Sequence, residues 1–348
     1  MKHILLSILS TCILAVSTQP MFGQSPVFSQ YYATSLYLNP ALSGLEKDIY
    51  MGMNYRSQWS NVGLPFTTFQ FSFIKPILRP GTRVKHLGGV GATFLNDVAG
   101  PNKEFKSQAI MLSGAYNFHL TRYGNNILSV GIQTGVWQQR VNYSNLQWST
   151  QYSAALGFDG SLAGENGSLN NQVFNPLLNA GIMWFYTSRG RLSTSSISAF
   201  SGIAASNIIQ PRSFSGVTHE PSAILFKLHG GFSSVWNRKL EISPNYLLQY
   251  QNHRFQVNLG TYFSYYLQPP HLHNSKSTKV IVGAWYRLQD AFILSTGFSN
   301  RSWNLGFSYD TNVSSLSRNF GFANAYEVSL AYKIVVNKGF KKFSSPLI

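Results

Sequence analysis

A single cysteine, Cys12, is all this 348-residue chain contains, and it falls inside an apolar run near the start. A disulfide framework and thiol chemistry are therefore excluded once that run is removed. Thr11 before Cys12 fits a lipoprotein signal poorly. Charge is also scarce: Asp, Glu, Lys and Arg make up 11% of the chain, where an ordinary soluble domain carries about a quarter. Acidic residues are rarest, 11 against 27 basic. Beyond Val16 no apolar run reaches the roughly twenty residues that a membrane-crossing helix needs. Helical spanning is excluded.

What the chain has is an exported start and a surplus of aromatics. Met1-Lys-His leads into an apolar stretch, Ile4 to Val16, and then into small and polar residues, the layout of a secretory signal covering 1–23. Tyr, Phe and Trp reach 15% of the chain. They recur in period-two alternation, which on a strand separates two faces. Phe255, Val257, Leu259, Thr261, Phe263 and Tyr265 alternate with Gln256, Asn258, Gly260, Tyr262, Ser264 and Tyr266. Trp303, Leu305, Phe307 and Tyr309 alternate with Asn304, Gly306, Ser308 and Asp310. Val328, Leu330, Tyr332 and Ile334 face away from Glu327, Ser329, Ala331 and Lys333. A soluble sandwich also alternates, but segments of about ten residues with aromatic ends, in an exported chain, indicate an all-β fold: an outer-membrane antiparallel β-barrel.

The strands expected are 48–59, 66–75, 84–97, 105–120, 126–142, 178–187, 196–207, 223–236, 240–250, 253–267, 278–288, 291–299, 302–311 and 324–336. That makes about fourteen, an even number as single-chain bacterial barrels require. The organisation expected is an N-terminal periplasmic or plug segment (24–47), a transmembrane barrel (48–336) and a basic tail (337–348). An even barrel places both termini on the periplasmic side. The longest connection, Ser144 to Leu177, then falls outside with 207–222 and 312–323, while the short turns 122–125, 237–239 and 300–301 fall inside. The Pro-rich stretch 268–277 is long for an inner turn, and a strand missed there would invert everything after it.

In this register the basic residues concentrate on the inner rim: Arg79, Arg83, Lys85, Arg122, Arg189, Arg191, Arg238 and Lys239, with Lys276, Lys279, Arg301, Lys338, Lys341 and Lys342. Such a rim attracts anionic outer-membrane lipids or an acidic protein surface over a Debye length of about 8 to 10 Å. Ordinary snorkelling at the membrane edge accounts for it as well. The formal net charge of +16 does not indicate a nucleic-acid partner, because the charges are dispersed and no recognition motif accompanies them.

No sequence-local catalytic constellation, cofactor motif or metal set stands out, and an enzyme is not expected. Gly88-Gly89-Val90-Gly91 lacks the strand-turn-helix setting of a phosphate loop. His271 and His273 have no third ligand nearby. Asp159 and Glu165 are too few for a calcium cage.

One stretch has no generic strand explanation: Phe28-Ser29-Gln30-Tyr31-Tyr32, then Leu38-Asn39-Pro40-Ala41, then Asn54-Tyr55-Arg56-Ser57-Gln58-Trp59. It resembles the opening of the PorP/SprF family of type IX secretion system membrane proteins. Residues 308–317 and 326–332 look like that family's closing hairpin, and 143–148 with 175–181 are similar but weaker. The resemblance implies an outer-membrane component of the type IX secretion and gliding apparatus, without enzymatic activity. It further implies secretion or surface anchoring of an adhesin with a type B C-terminal signal, with periplasmic machine lipoproteins as partners. Phe28, Ser29, Gln30, Tyr31, Tyr32, Asn39, Pro40, Asn54, Tyr55, Arg56, Gln58 and Trp59 are the motif residues and candidate partner contacts. From the residues alone, this opening reads equally as a segment tucked into the lumen. The competing function is an outer-membrane uptake channel for a small solute.

Overall fold

The computed structural model describes residues 25–60, 63, 65–79, 85–121, 125–142, 146, 148–153, 157–162, 172–188, 197–210, 212–215, 218–236, 239–267, 278–314, 324–334 and 336. The signal, the basic tail, Arg83, Arg122, Arg189, Arg191, Arg238 and the 268–277 stretch lie outside the described residues.

Fourteen antiparallel strands close into a barrel: β1 (Ile49–Gln58), β2 (Phe66–Arg79), β3 (Lys85–Ala99), β4 (Phe105–His119), β5 (Asn126–Val141), β6 (Gln172–Thr187), β7 (Ile197–Ser206), β8 (Leu225–Trp236), β9 (Leu240–Gln251), β10 (Arg254–Tyr266), β11 (Lys279–Arg287), β12 (Ala291–Ser299), β13 (Trp303–Asn312) and β14 (Ala325–Ile334). Each strand pairs with its sequence neighbours, and β1 closes on β14 from Ile49 opposite Ile334 to Gln58 opposite Ala325. Closure leaves no unpaired edge, which a bilayer demands because nothing in its core hydrogen-bonds a free N–H or C=O. The pairing of β10 directly with β11 leaves no wall strand between them, so the number of wall strands is even, and the ends are called outer and inner on the parity expectation.

The barrel is inside out relative to a soluble protein. On β12, Leu294 is 66% exposed while Ser295 is 8% exposed. On β13, Trp303, Leu305, Phe307 and Tyr309 face outward, while Ser308 and Asp310 are buried in the lumen. An apolar exterior with a polar interior is the arrangement that lipid outside selects.

Two expectations are corrected. Strand β6 begins at Gln172, so the longest connection is 142–171 and Leu177 belongs to the wall, buried in the lumen. Asn-Pro commonly initiates a turn, yet Asn175 and Pro176 both pair across to β5. Strand β2 likewise runs on to Arg79 through Pro76, with a register shift between Ile77 and Leu78, the bulge that a proline in a sheet commonly accompanies. Two short hairpins, Tyr152–Ser153 with Gly157–Phe158 and Arg212–Ser215 with Thr218–Pro221, stand in the outer connections and have no counterpart in the sequence reading.

Candidate functional site: a plugged lumen

Residues 25–47 run through the barrel's interior, from the outer half down to the inner end where β1 begins. Phe28 sits in an apolar pocket of Leu95, Ala109, Met111 and Leu177, with Tyr37 and Trp137 alongside. Tyr31 meets Trp285 edge-on at 5.4 Å between ring centroids, and Tyr32 meets Phe200 at 5.6 Å. Such pairs add about 0.5–1.5 kcal/mol each beyond the area they bury.

Between those anchors Ser29 and Gln30 dock on a cluster of four charges. Arg56 is 3% exposed, Asp310 3%, Arg287 5% and Glu327 0%, and each lies near the outer end of its strand. Arg56 donates to Asp310 Oδ2 at 2.9 Å and to Glu327 Oε2 at 3.2 Å. Arg287 donates to Asp310 Oδ2 at 3.2 Å and to Asp290 at 3.0 Å. Ser29 Oγ donates to Asp310 at 2.6 Å and accepts from Arg56 at 2.7 Å and Arg287 at 2.9 Å. That uses the full capacity of a hydroxyl, one donor and two acceptors. Glu327 accepts the backbone N–H groups of Ser29 at 2.8 Å and Gln30 at 2.9 Å, and the side-chain amide of Asn54 at 2.7 Å. The Gln30 amide donates to the Glu327 carbonyl at 3.0 Å and accepts from Ser329 Oγ at 2.6 Å. Burying this many charges is tolerable only because they are paired and hydrogen-bonded.

Lower down, Asn39 fixes the segment to the opposite wall. Its side-chain amide donates to the carbonyls of Ile182 at 3.2 Å and Ile203 at 3.3 Å, and lies 3.1 Å from His229 Nε2. Its oxygen accepts from Ala41 N–H, capping the 3₁₀ turn Pro40–Gly44 that opens on a proline, the residue whose missing N–H costs nothing at that position. This turn packs so close to the wall that a side chain at Gly89 would strike the Ser43 carbonyl, and one at Gly131 the backbone of Pro40 and Ala41. Buried Lys227 donates to the Tyr37 carbonyl at 2.6 Å and stands 4.2 Å from the Tyr37 ring centre, so a carbonyl and a ring face meet its charge. The Tyr37 hydroxyl donates to the Pro26 carbonyl at 2.9 Å.

Beside the segment, toward the inner end, lies a cavity of about 90 Å³ bordered by Gln30, Tyr32, Ser295, Ser329, Glu241 and Lys279. Glu241 pairs with Lys279 at 3.3 Å and accepts from Ser233 and Tyr266.

The structure therefore brings Phe28, Ser29, Gln30, Tyr31, Tyr32, Asn39, Pro40, Asn54 and Arg56 together inside the lumen. Tyr55 faces outward, and Gln58 and Trp59 reach the outer end of β1. Of the inner-rim residues, Arg79 ends β2, Lys85 begins β3 and Lys239 occupies the β8–β9 turn, all at one end of the barrel. Sequence reasoning missed Arg287, Asp310 and Glu327 as a unit with Arg56. The available signal was charge at inward-facing positions, clearest for Asp310 and Glu327, whose neighbouring inward residues Ser308, Asn312, Ala325 and Ser329 are small or polar.

A closed fourteen-strand barrel, apolar outside and filled by its own N-terminal segment, defines an outer-membrane protein. The family model described as type IX secretion system membrane protein PorP/SprF matches residues 21–332. The chain belongs to that family and is an outer-membrane component of type IX secretion. No curated protein matches it. Among solved structures it is similar to the Pseudomonas putida toluene transporter TodX (TM-score 0.47, 10% identity, 90% of this chain and 95% of that one). It is also similar to the Ralstonia pickettii toluene transporter TbuX (0.45, 12%, 86% and 92%) and to the CymD monoaromatic hydrocarbon channel (0.42, 16%, 87% and 93%).

Proposed function

We propose that this barrel holds, or helps to export, a surface adhesin with a type B C-terminal signal at its outer connections, and docks to periplasmic lipoproteins of the secretion machine through its basic inner rim. The observation that carries the reading is the combination of family membership with a lumen filled by the chain itself. A barrel that spends its interior on an internal segment is suited to presenting its two ends to other proteins. Outside, the 142–171 connection carries the exposed aromatics Tyr152 and Phe158 and Asp159, whose carboxyl is held below the usual range by hydrogen bonds from Ser161. Inside, Arg79 and Lys239 are exposed cations at the rim. On this reading Tyr55, Gln58 and Trp59 are the motif residues that touch a partner near the outer face, while the buried motif residues hold the segment. The filled lumen weighs against a small-solute channel.

The test is affinity purification of tagged protein from crosslinked outer membranes, with mass spectrometry of what accompanies it. Recovery of a type B adhesin or of periplasmic machine lipoproteins is expected. Reproducible recovery of the barrel alone, from cells expressing the machine, contradicts the reading.

A further inference from the structure

Docking to a secretion machine explains two decorated ends but not why the lumen reads five consecutive residues one by one. Phe28 has an apolar pocket, Ser29 a saturated polar seat, Gln30 a carbonyl and a hydroxyl, Tyr31 the edge of Trp285, and Tyr32 the ring of Phe200. Glu327 accepts two successive backbone N–H groups. Main-chain hydrogen bonds that supply affinity, with side-chain pockets that supply specificity, are how proteins recognise peptides.

We propose that the outer half of the lumen is a peptide-recognition site, occupied here by the chain's own residues 28–32, and that it accepts in exchange a partner's segment of the same pattern: aromatic, small hydroxyl, amide, two aromatics. The inference does not depend on the secretion reading.

Chemistry favours recognition over filling. A segment needed only to fill space is held as well or better by apolar side chains, because replacing buried ion pairs with matched hydrophobic residues is commonly neutral or stabilising. Four charges converging on one serine hydroxyl and two N–H groups instead discriminate among occupants, since an occupant lacking that serine forfeits the three hydrogen bonds its hydroxyl makes with Asp310, Arg56 and Arg287. The segment is held by non-covalent contacts and joined to the wall through the short run from Leu45 to Asp48. Beside Gln30 and Tyr32 the cavity leaves room for displacement to begin. A tethered occupant works at millimolar effective concentration, so a partner must bring its segment to comparable local concentration, as a docked protein does.

The experiment inserts a protease site between Lys47 and Asp48 of the full-length barrel in detergent, cuts it, and adds a fluorescent synthetic peptide spanning residues 25–47. Capture of the labelled peptide with release of the cut segment is expected, and a scrambled peptide is not captured. A peptide carrying Ser29→Ala, which removes the hydroxyl's hydrogen bonds with Asp310, Arg56 and Arg287, should bind about ten- to a hundredfold more weakly, and it leaves the barrel unaltered. As a second measurement needing no cut, the full chain with Ser29→Ala should capture more native peptide than the uncut wild type does. Equal capture of native and scrambled peptides, or no exchange of the cut segment in the folded barrel, overturns the proposal.

Discussion

At the scale of single residues, the molecule depends on Arg56, whose guanidinium bridges Asp310 and Glu327 where none of the three reaches solvent. Removing one partner from such a set strands the others. Arg56→Met removes the cation that bridges Asp310 and Glu327, leaving them to Arg287, Asn54 and the Ser29 and Gln30 donors, and should cost about 3–5 kcal/mol. Adding Glu327→Gln removes the stranded charge, so the double variant should recover at least about 1 kcal/mol relative to the sum of the single losses. Thermal unfolding in detergent, followed by heat-modifiable migration on gels, measures both. Additive losses would show that the charges do not act as a unit. Arg56 is legible in sequence as a motif residue, but its partners are not: Ser29 and Glu327 stand 298 residues apart, and no local spacing links them.

At the scale of elements, the strands are highly legible because lipid imposes the code. Every second residue must be apolar to face the bilayer, and the alternating residue is free to be small or polar, so period two survives across all fourteen strands. The failures have physical causes. Asn175-Pro176 in β6 and Pro76 in β2 carry turn chemistry, yet closure of the barrel overrides it. The outer hairpins rest on two to four residue pairs, too few to show a period. The inner segment is legible only as an unusual motif, because its order of residues answers to pockets on distant strands. Orientation belongs to this scale too. Ser161 in the 142–171 connection should react, as Ser161→Cys, with a membrane-impermeant maleimide on intact cells, while Lys239→Cys reacts only after the outer membrane is permeabilised. The reverse labelling would invert the barrel and reassign both rims.

At the scale of the whole molecule, the distribution of charge does more than its sum. Cations placed at the inner rim act over about one Debye length, so their effect should fall with salt and be confined to partners on that side. Reversal of Arg238 and Lys239 to Glu should reduce recovery of periplasmic partners in the crosslinked purification without altering the heat-modifiable barrel. Unchanged recovery would leave these cations as ordinary membrane-edge residues. The central claim, a barrel closed by its own N-terminal segment, is tested most directly by planar-bilayer conductance of the purified protein. Wild type should be electrically silent, and Gly131→Val, whose side chain collides with the Pro40–Ala41 backbone, should displace the segment and produce stepwise current. Steady conductance by the wild type, unaffected by that substitution, would contradict the account and make the barrel a channel.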